Sequence, residues 1–137
     1  MTQEDKELLL KDLCARLPYD IKCKIEMWIG YDVCTIYNIN SIGFVEIVED
    51  SDTNGVNIER IKPYLFPLSS MTEEQKREYY SLKHEVPVCH YEYGDVVEEF
   101  ELYDSPESFE YLIENHFDYR GLIPKGIALD ATGLNIY

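Results

Sequence analysis

The apolar residues of this chain keep one period up to Pro18 and a different one after it. Leu9, Leu10, Leu13, Cys14 and Leu17 recur three and four apart, which is helical spacing. Thr2 followed by Asp5 is a helix start, and the early acids suit the positive end of a helix dipole. These signals predict a helix over Gln3–Leu17 that Pro18 stops. Ile21, Cys23, Ile25 and Met27 then alternate with Lys22, Lys24 and Glu26, as in a strand with one buried and one wet face. A chain that makes this change folds as α+β.

The strand signal continues. Val33–Ile39, rich in β-branched and aromatic residues, reads as a second strand, Phe44–Glu49 as a third and Val56–Ile61 as a fourth. Asn54-Gly55 closes a polar turn suited to positive φ. Short connections predict an antiparallel meander. Pro63 and Pro67 argue against a helix interior or a central strand, so residues 62–68 are expected as an extended segment or sheet edge. Thr72 with Gln75 is a capping-box signature for a surface helix from Glu73 to about Lys83, closed off by Pro87. Val88–Tyr93 and Val96–Tyr103 flank Gly94-Asp95 as a hairpin. In its second arm Val96, Glu98, Phe100 and Leu102 point one way, and Val97, Glu99, Glu101 and Tyr103 the other.

Ser105-Pro106 is an N-cap with proline at the first helical position. The helix is expected over Ser105–Phe117. Phe109, Leu112, Ile113 and His116 would be its inner face, and Glu107, Glu110 and Glu114 its outer one. Asp118 is placed to cap a short turn through Ile123, and Ile127–Tyr137 is an apolar tail without a period. The expected architecture is a single α+β domain over residues 1–137. It has an antiparallel sheet of about four to six strands, packed by an N-terminal and a C-terminal helix. With 45% apolar residues among 137, the chain can build a core without metal or disulfide.

Charge narrows the function. There are 12 basic and 27 acidic residues, a formal net charge of -15, and no Lys or Arg between His84 and Tyr119. Such a chain repels nucleic acid and anionic lipid, and attracts basic partners. Direct nucleic-acid binding and membrane binding are not expected; a basic protein partner is. No run approaches the ~18 apolar residues of a membrane span. Cys14, Cys23, Cys34 and Cys89 lack zinc-site spacing and read as reduced, packed thiols of a cytoplasmic protein.

The chemical motifs are weak. Asp50-x-Asp52-x-Asn54-Gly55 matches the first half of a calcium loop, but Ile61 stands where the bidentate glutamate belongs, so a plain polar turn is the simpler reading. Cys89 and His90 are strand neighbours, so they point to opposite faces and cannot activate each other. Carboxylate pairs such as Glu73-Glu74 and Glu98-Glu99 are too common here to mark an acid–base site. No phosphate-binding, nucleophile-elbow or zinc-protease motif occurs, and no cofactor is expected. Two binding surfaces are candidates. One is acidic: Glu99, Glu101, Glu107, Glu110 and Glu114, which could mimic a phosphate backbone for a basic protein. The other is apolar: Tyr64 and Phe66. Arg120, the sole basic residue between Lys83 and Lys125, is expected to pair with a carboxylate and fix the C-terminal turn. The alternative is a small-ligand-binding protein or an enzyme of unknown reaction, with a pocket around Arg120, His116 and nearby tyrosines.

Two segments, IKPYLFPLSSMTEEQK (61–76) and NHFDYRGLIPKGIALD (115–130), together resemble small acidic proteins of gut Bacteroidales genomes and their phages. The opening helix, Asp5–Leu17, also fits, and the likeness covers about half the chain. It is weakest over Tyr91–Tyr103. The resemblance implies a phage or mobile-element setting and brings no catalytic residue with it.

Overall fold

The computed structural model describes residues 1–26, 29–30, 32–40, 43–47 and 55–137. Met27 and the loop residues Asp50, Asp52 and Asn54 lie outside them. The chain forms an α+β structure in which contacts group the residues into two compact units, Met1–Ser70 with Ile113–Tyr137, and Met71–Leu112. The sequence alone suggested one domain.

In the first unit, α1 (Gln3–Arg16) starts as its cap dictates. Thr2 accepts from the Asp5 amide, and the Asp5 carboxylate accepts from the Thr2 amide. Its buried face is Leu9, Asp12, Leu13 and Arg16, so two of four inward residues are charged. β1 (Ile21–Ile25), β2 (Cys34–Ile39), β3 (Phe44–Ile47) and β4 (Val56–Asn57) form the expected antiparallel meander, in the order β4-β3-β2-β1. The alternation in β1 is reproduced, with Ile21, Cys23 and Ile25 buried. β4 is shorter than expected. The Asn57 side chain accepts from the Glu59 amide and turns the chain into a 3-10 helix, Ile58–Arg60.

β5 (Ile61–Pro67) corrects the proline argument. It is an internal strand, antiparallel to β1 on one side and extended on the other by two short parallel strands, β8 (Phe117–Asp118) and β9 (Leu129–Asp130). The reason is positional. β1 pairs with Ile61–Pro63 and β8 with Phe66–Pro67, so each proline ends a paired run, where a missing N–H removes no interior ladder bond. The sheet is therefore mixed and seven-stranded. The C-terminal tail, which has no period of its own, supplies β9.

Leu9 and Leu13 of α1 join Ile21, Ile25, Ile36, Val45, Ile61 and Leu65 of the sheet, with Leu122 and Ile127, in one core cluster. Each fully buried aliphatic side chain stabilises by about 1.5–3 kcal/mol. Asp118 shapes the return of the chain to this core. Its carboxylate accepts from the amides of Leu122 and Ile123, both at 2.9 Å, as the sequence predicted.

The second unit contains α2 (Glu73–Leu82), β6 (His84–Glu92), β7 (Asp95–Tyr103) and most of α3 (Pro106–Glu114). The Thr72–Gln75 capping box is present, and α2 buries none of its residues. Pro87 lies inside β6, tolerated because the hairpin has only two strands and both are edges. The turn is Tyr93-Gly94, not Gly94-Asp95. Both residues have positive φ, 51° and 87°, the geometry that matches the twist of a two-residue hairpin. Ser105 caps α3 by accepting from the Ser108 amide at 3.0 Å. The helix ends at Glu114 and not Phe117, because His116 takes a positive φ of 64° that frees Phe117 to enter β8. Phe109 is exposed, contrary to its place on the expected inner face.

Candidate functional site

The acidic hairpin has two chemically different faces. Register pairs Glu85 with Leu102, Pro87 with Phe100, Cys89 with Glu98 and Tyr91 with Val96, so these residues share one face. Val86 with Glu101, Val88 with Glu99 and Glu92 with Asp95 share the other. The first is largely apolar, and yet Phe100 is 65% and Tyr91 81% exposed. Val96 and Leu102 are exposed as well. On the second, the Glu101 carboxylate accepts a short hydrogen bond from the Tyr103 hydroxyl. That bond holds the Tyr103 proton, raising its pKa. The hairpin carries Glu85, Glu92, Asp95, Glu98, Glu99 and Glu101 without a Lys or Arg. A two-stranded sheet with like charges and no opposite-charge cross-strand pair is a poor free-standing structure.

Glu107, Glu110 and Glu114 are exposed on α3. Glu99, Glu101, Glu107 and Glu110 belong to the same unit, and Glu114 to the other. At the base of the hairpin Asp104 is a local anchor. It accepts from the Tyr79 hydroxyl in a short bond and from Ser108 Oγ at 3.0 Å. Lys83 lies over the Tyr79 ring, its Nζ 4.8 Å from the centroid.

The apolar candidates are placed otherwise than expected. Tyr64 is buried, and its hydroxyl donates to the Asp32 carbonyl at 2.7 Å. Phe66 is half-buried between the rings of Phe117 and Tyr137. Neither forms an exposed row, because β5 is covered on both faces where Tyr64 and Leu65 are consecutive buried residues. Exposed apolar surface lies instead on the hairpin.

Arg120 does find a carboxylate, and it is one that sequence reasoning passed over. Its Nε stands 3.3 Å from Asp12 Oδ1. Asp12 is fully buried and also receives Arg16 Nε at 2.8 Å. Arg16 Nη2 reaches Asp12 Oδ1 at 3.3 Å and the Phe117 carbonyl at 2.6 Å. The guanidinium of Arg120 lies 4.8 Å, and that of Arg16 5.6 Å, from the centroid of the Tyr119 ring. The one available signal was that Asp12 and Arg16 fall on the same helical face as Leu9 and Leu13. His116 stacks on Tyr137 beside this cluster. Burial, aided by the Arg16 charge, lowers its pKa to about 4 and keeps the ring neutral.

Cys23 and Cys34 are buried and face each other across β1 and β2, whereas Cys14 and Cys89 are exposed and not packed as expected. Among the described residues, no group of three His, Cys, Asp or Glu side chains is placed to hold a metal, and no helix is long and apolar enough to cross a membrane. No protein-family model, curated protein or solved structure matches the chain.

Proposed function

We propose that this chain is a non-enzymatic accessory protein, of the phage or mobile-element type, that acts by binding a basic protein through the β6–β7 hairpin. The supporting observation is the exposure of Phe100, Leu102, Val96 and Tyr91 on one face of a hairpin that carries six carboxylates over its two faces and no Lys or Arg. Clustered exposed aromatic and aliphatic side chains favour docking. The carboxylates decide what docks. A second copy would bring two sets of like charges together, while a partner segment with Lys or Arg beside apolar residues would neutralise them. Glu99, Glu101, Glu107 and Glu110 would add long-range attraction, and a nucleic-acid-binding protein is the class of partner that such a surface would occupy as a decoy.

The test is affinity capture from host lysate with the wild type, Phe100→Ser and the double variant Glu99→Gln/Glu101→Gln. Capture that weakens as salt rises and fails with Phe100→Ser supports the proposal. Equal capture by all three chains, or capture indifferent to salt, defeats it. Release of the captured protein by added nucleic acid would identify the decoy form.

A further inference from the structure

The Asp12–Arg16–Arg120 cluster holds two guanidiniums and one carboxylate. The nearest carboxylate in sequence to its Phe117 contact, Asp118, is already taken by the amides of Leu122 and Ile123. His116 adds no charge. Among the described residues the cluster therefore has one more cation than carboxylate, at a largely buried position in a chain whose overall charge is -15. A charge left without a partner in such a place is costly.

The donors show the same deficit. Arg16 is 1% exposed, and among the described residues its Nη1 has no hydrogen-bond partner. Arg120 Nε is likewise buried without a hydrogen bond of good geometry, despite its proximity to Asp12. The Tyr119 ring attracts both cations, but a ring face has no lone pair to accept those N–H groups. Arg120 is the open side of the cluster, with 20% of its side chain exposed.

We propose that Arg16 and Arg120 form a binding site for a small oxyanion, a phosphate or carboxylate group. The group enters along the exposed side of Arg120. It accepts from Arg16 Nη1 and from the Arg120 guanidinium, whose planar forks suit both anions. Asp12 acts as the positioning residue that fixes the Arg16 fork. The same chemistry could arrive as a free ion or on a larger ligand, and the site reads only the anionic group.

The experiment is a titration of the full chain followed through its arginine side-chain Nε–Hε resonances. Sodium phosphate and sodium acetate are the probes, with sodium chloride at matched ionic strength as control. The Arg16 and Arg120 signals should move saturably with phosphate, acetate or both, and not with chloride. Arg120→Gln should weaken the apparent affinity at least tenfold, and Lys125→Gln, at an exposed position, should leave it unchanged. A linear drift equal to that with chloride, or a saturable response untouched by Arg120→Gln, overturns the proposal. Should Arg120→Gln not fold, Arg120→Lys, which keeps the charge but loses the fork, gives the same comparison, and the wild-type titration against chloride decides by itself whether a site exists.

Discussion

His116 and Tyr137 stack face to face, with ring centroids 3.6 Å apart and planes 15° from parallel. The contact joins His116, two residues past the end of α3, to Tyr137. The ring of His116 stays neutral because it is half-buried. Protonation would place a charge in that half-buried site, close to the Arg16 cation.

A histidine in the unfolded chain titrates near 6.5, and His116 in the folded chain near 4. Between those values the unfolded state binds more protons, so acid favours unfolding. The contribution of His116 is intact above about pH 6.5 and is lost progressively as pH falls toward 4. His116→Asn, which tolerates the positive φ, should flatten stability against pH in that window. Urea midpoints at a series of pH values measure this, and an unchanged slope would count against it.

Tyr137 has a second role. Its hydroxyl accepts from the Lys22 amide at 3.0 Å and donates to the Tyr64 carbonyl at 2.7 Å, bridging β1 and β5. Tyr137→Phe keeps the stack and removes the bridge. It should cost about 1–2 kcal/mol by denaturant titration, and Tyr137→Ala should cost more.

The buried ion cluster makes a non-additive prediction. Asp12→Ala leaves two guanidiniums unbalanced and should destabilise by about 3–5 kcal/mol. Asp12→Leu combined with Arg16→Met replaces the pair with apolar side chains and should recover much of that loss. A double variant as unstable as the sum of the two single ones would show that Arg16 serves the fold through Phe117 and not through Asp12.

The thiols should divide two and two. Cys14 and Cys89 are exposed, whereas Cys23 and Cys34 are buried. A thiol reagent should modify the first pair promptly under native conditions and the second only after denaturation. Mass mapping of the modified residues reads the outcome directly.

The hairpin should open on its own. Its strands bury no residue, so amides of residues 84–103 should exchange with solvent at a lower opening free energy than those of β1 and β5. Gly94→Ala, at φ 87°, should accelerate that exchange and leave the global unfolding midpoint nearly unchanged. Uniform protection across the hairpin and β1 would contradict it.

Local signals carried most of the fold. The Thr2 and Thr72 caps, the alternation in β1, the meander and the Ser105 cap are properties of short stretches, and they are legible because the physics that sets them is local. The errors arise where partners are distant. Pro63 and Pro67 argued against an internal strand because their tolerance depends on where β1 and β8 stop pairing. β9 has two residues, too few to show a period, and its place is set by β5, more than 60 residues earlier in the chain. The same holds for the candidate sites. The two-faced hairpin followed from alternation, but its lack of cover did not. Arg120 was recognisable as unusual, while its partner Asp12 lay hidden in a helix that reads as an ordinary amphipathic one.

The parallel strands have a consequence for how the chain is made. β8, β9, Leu122 and Tyr137 complete a sheet whose other strands all precede Leu68. During synthesis β5 leaves the ribosome well before the residues that pair with its far side. Until they emerge, the nascent sheet presents an open strand edge and uncovered apolar side chains to the cell. The second unit is translated within that interval. The far edge of β5 is therefore open to mispairing until residues 117–130 follow it out of the ribosome.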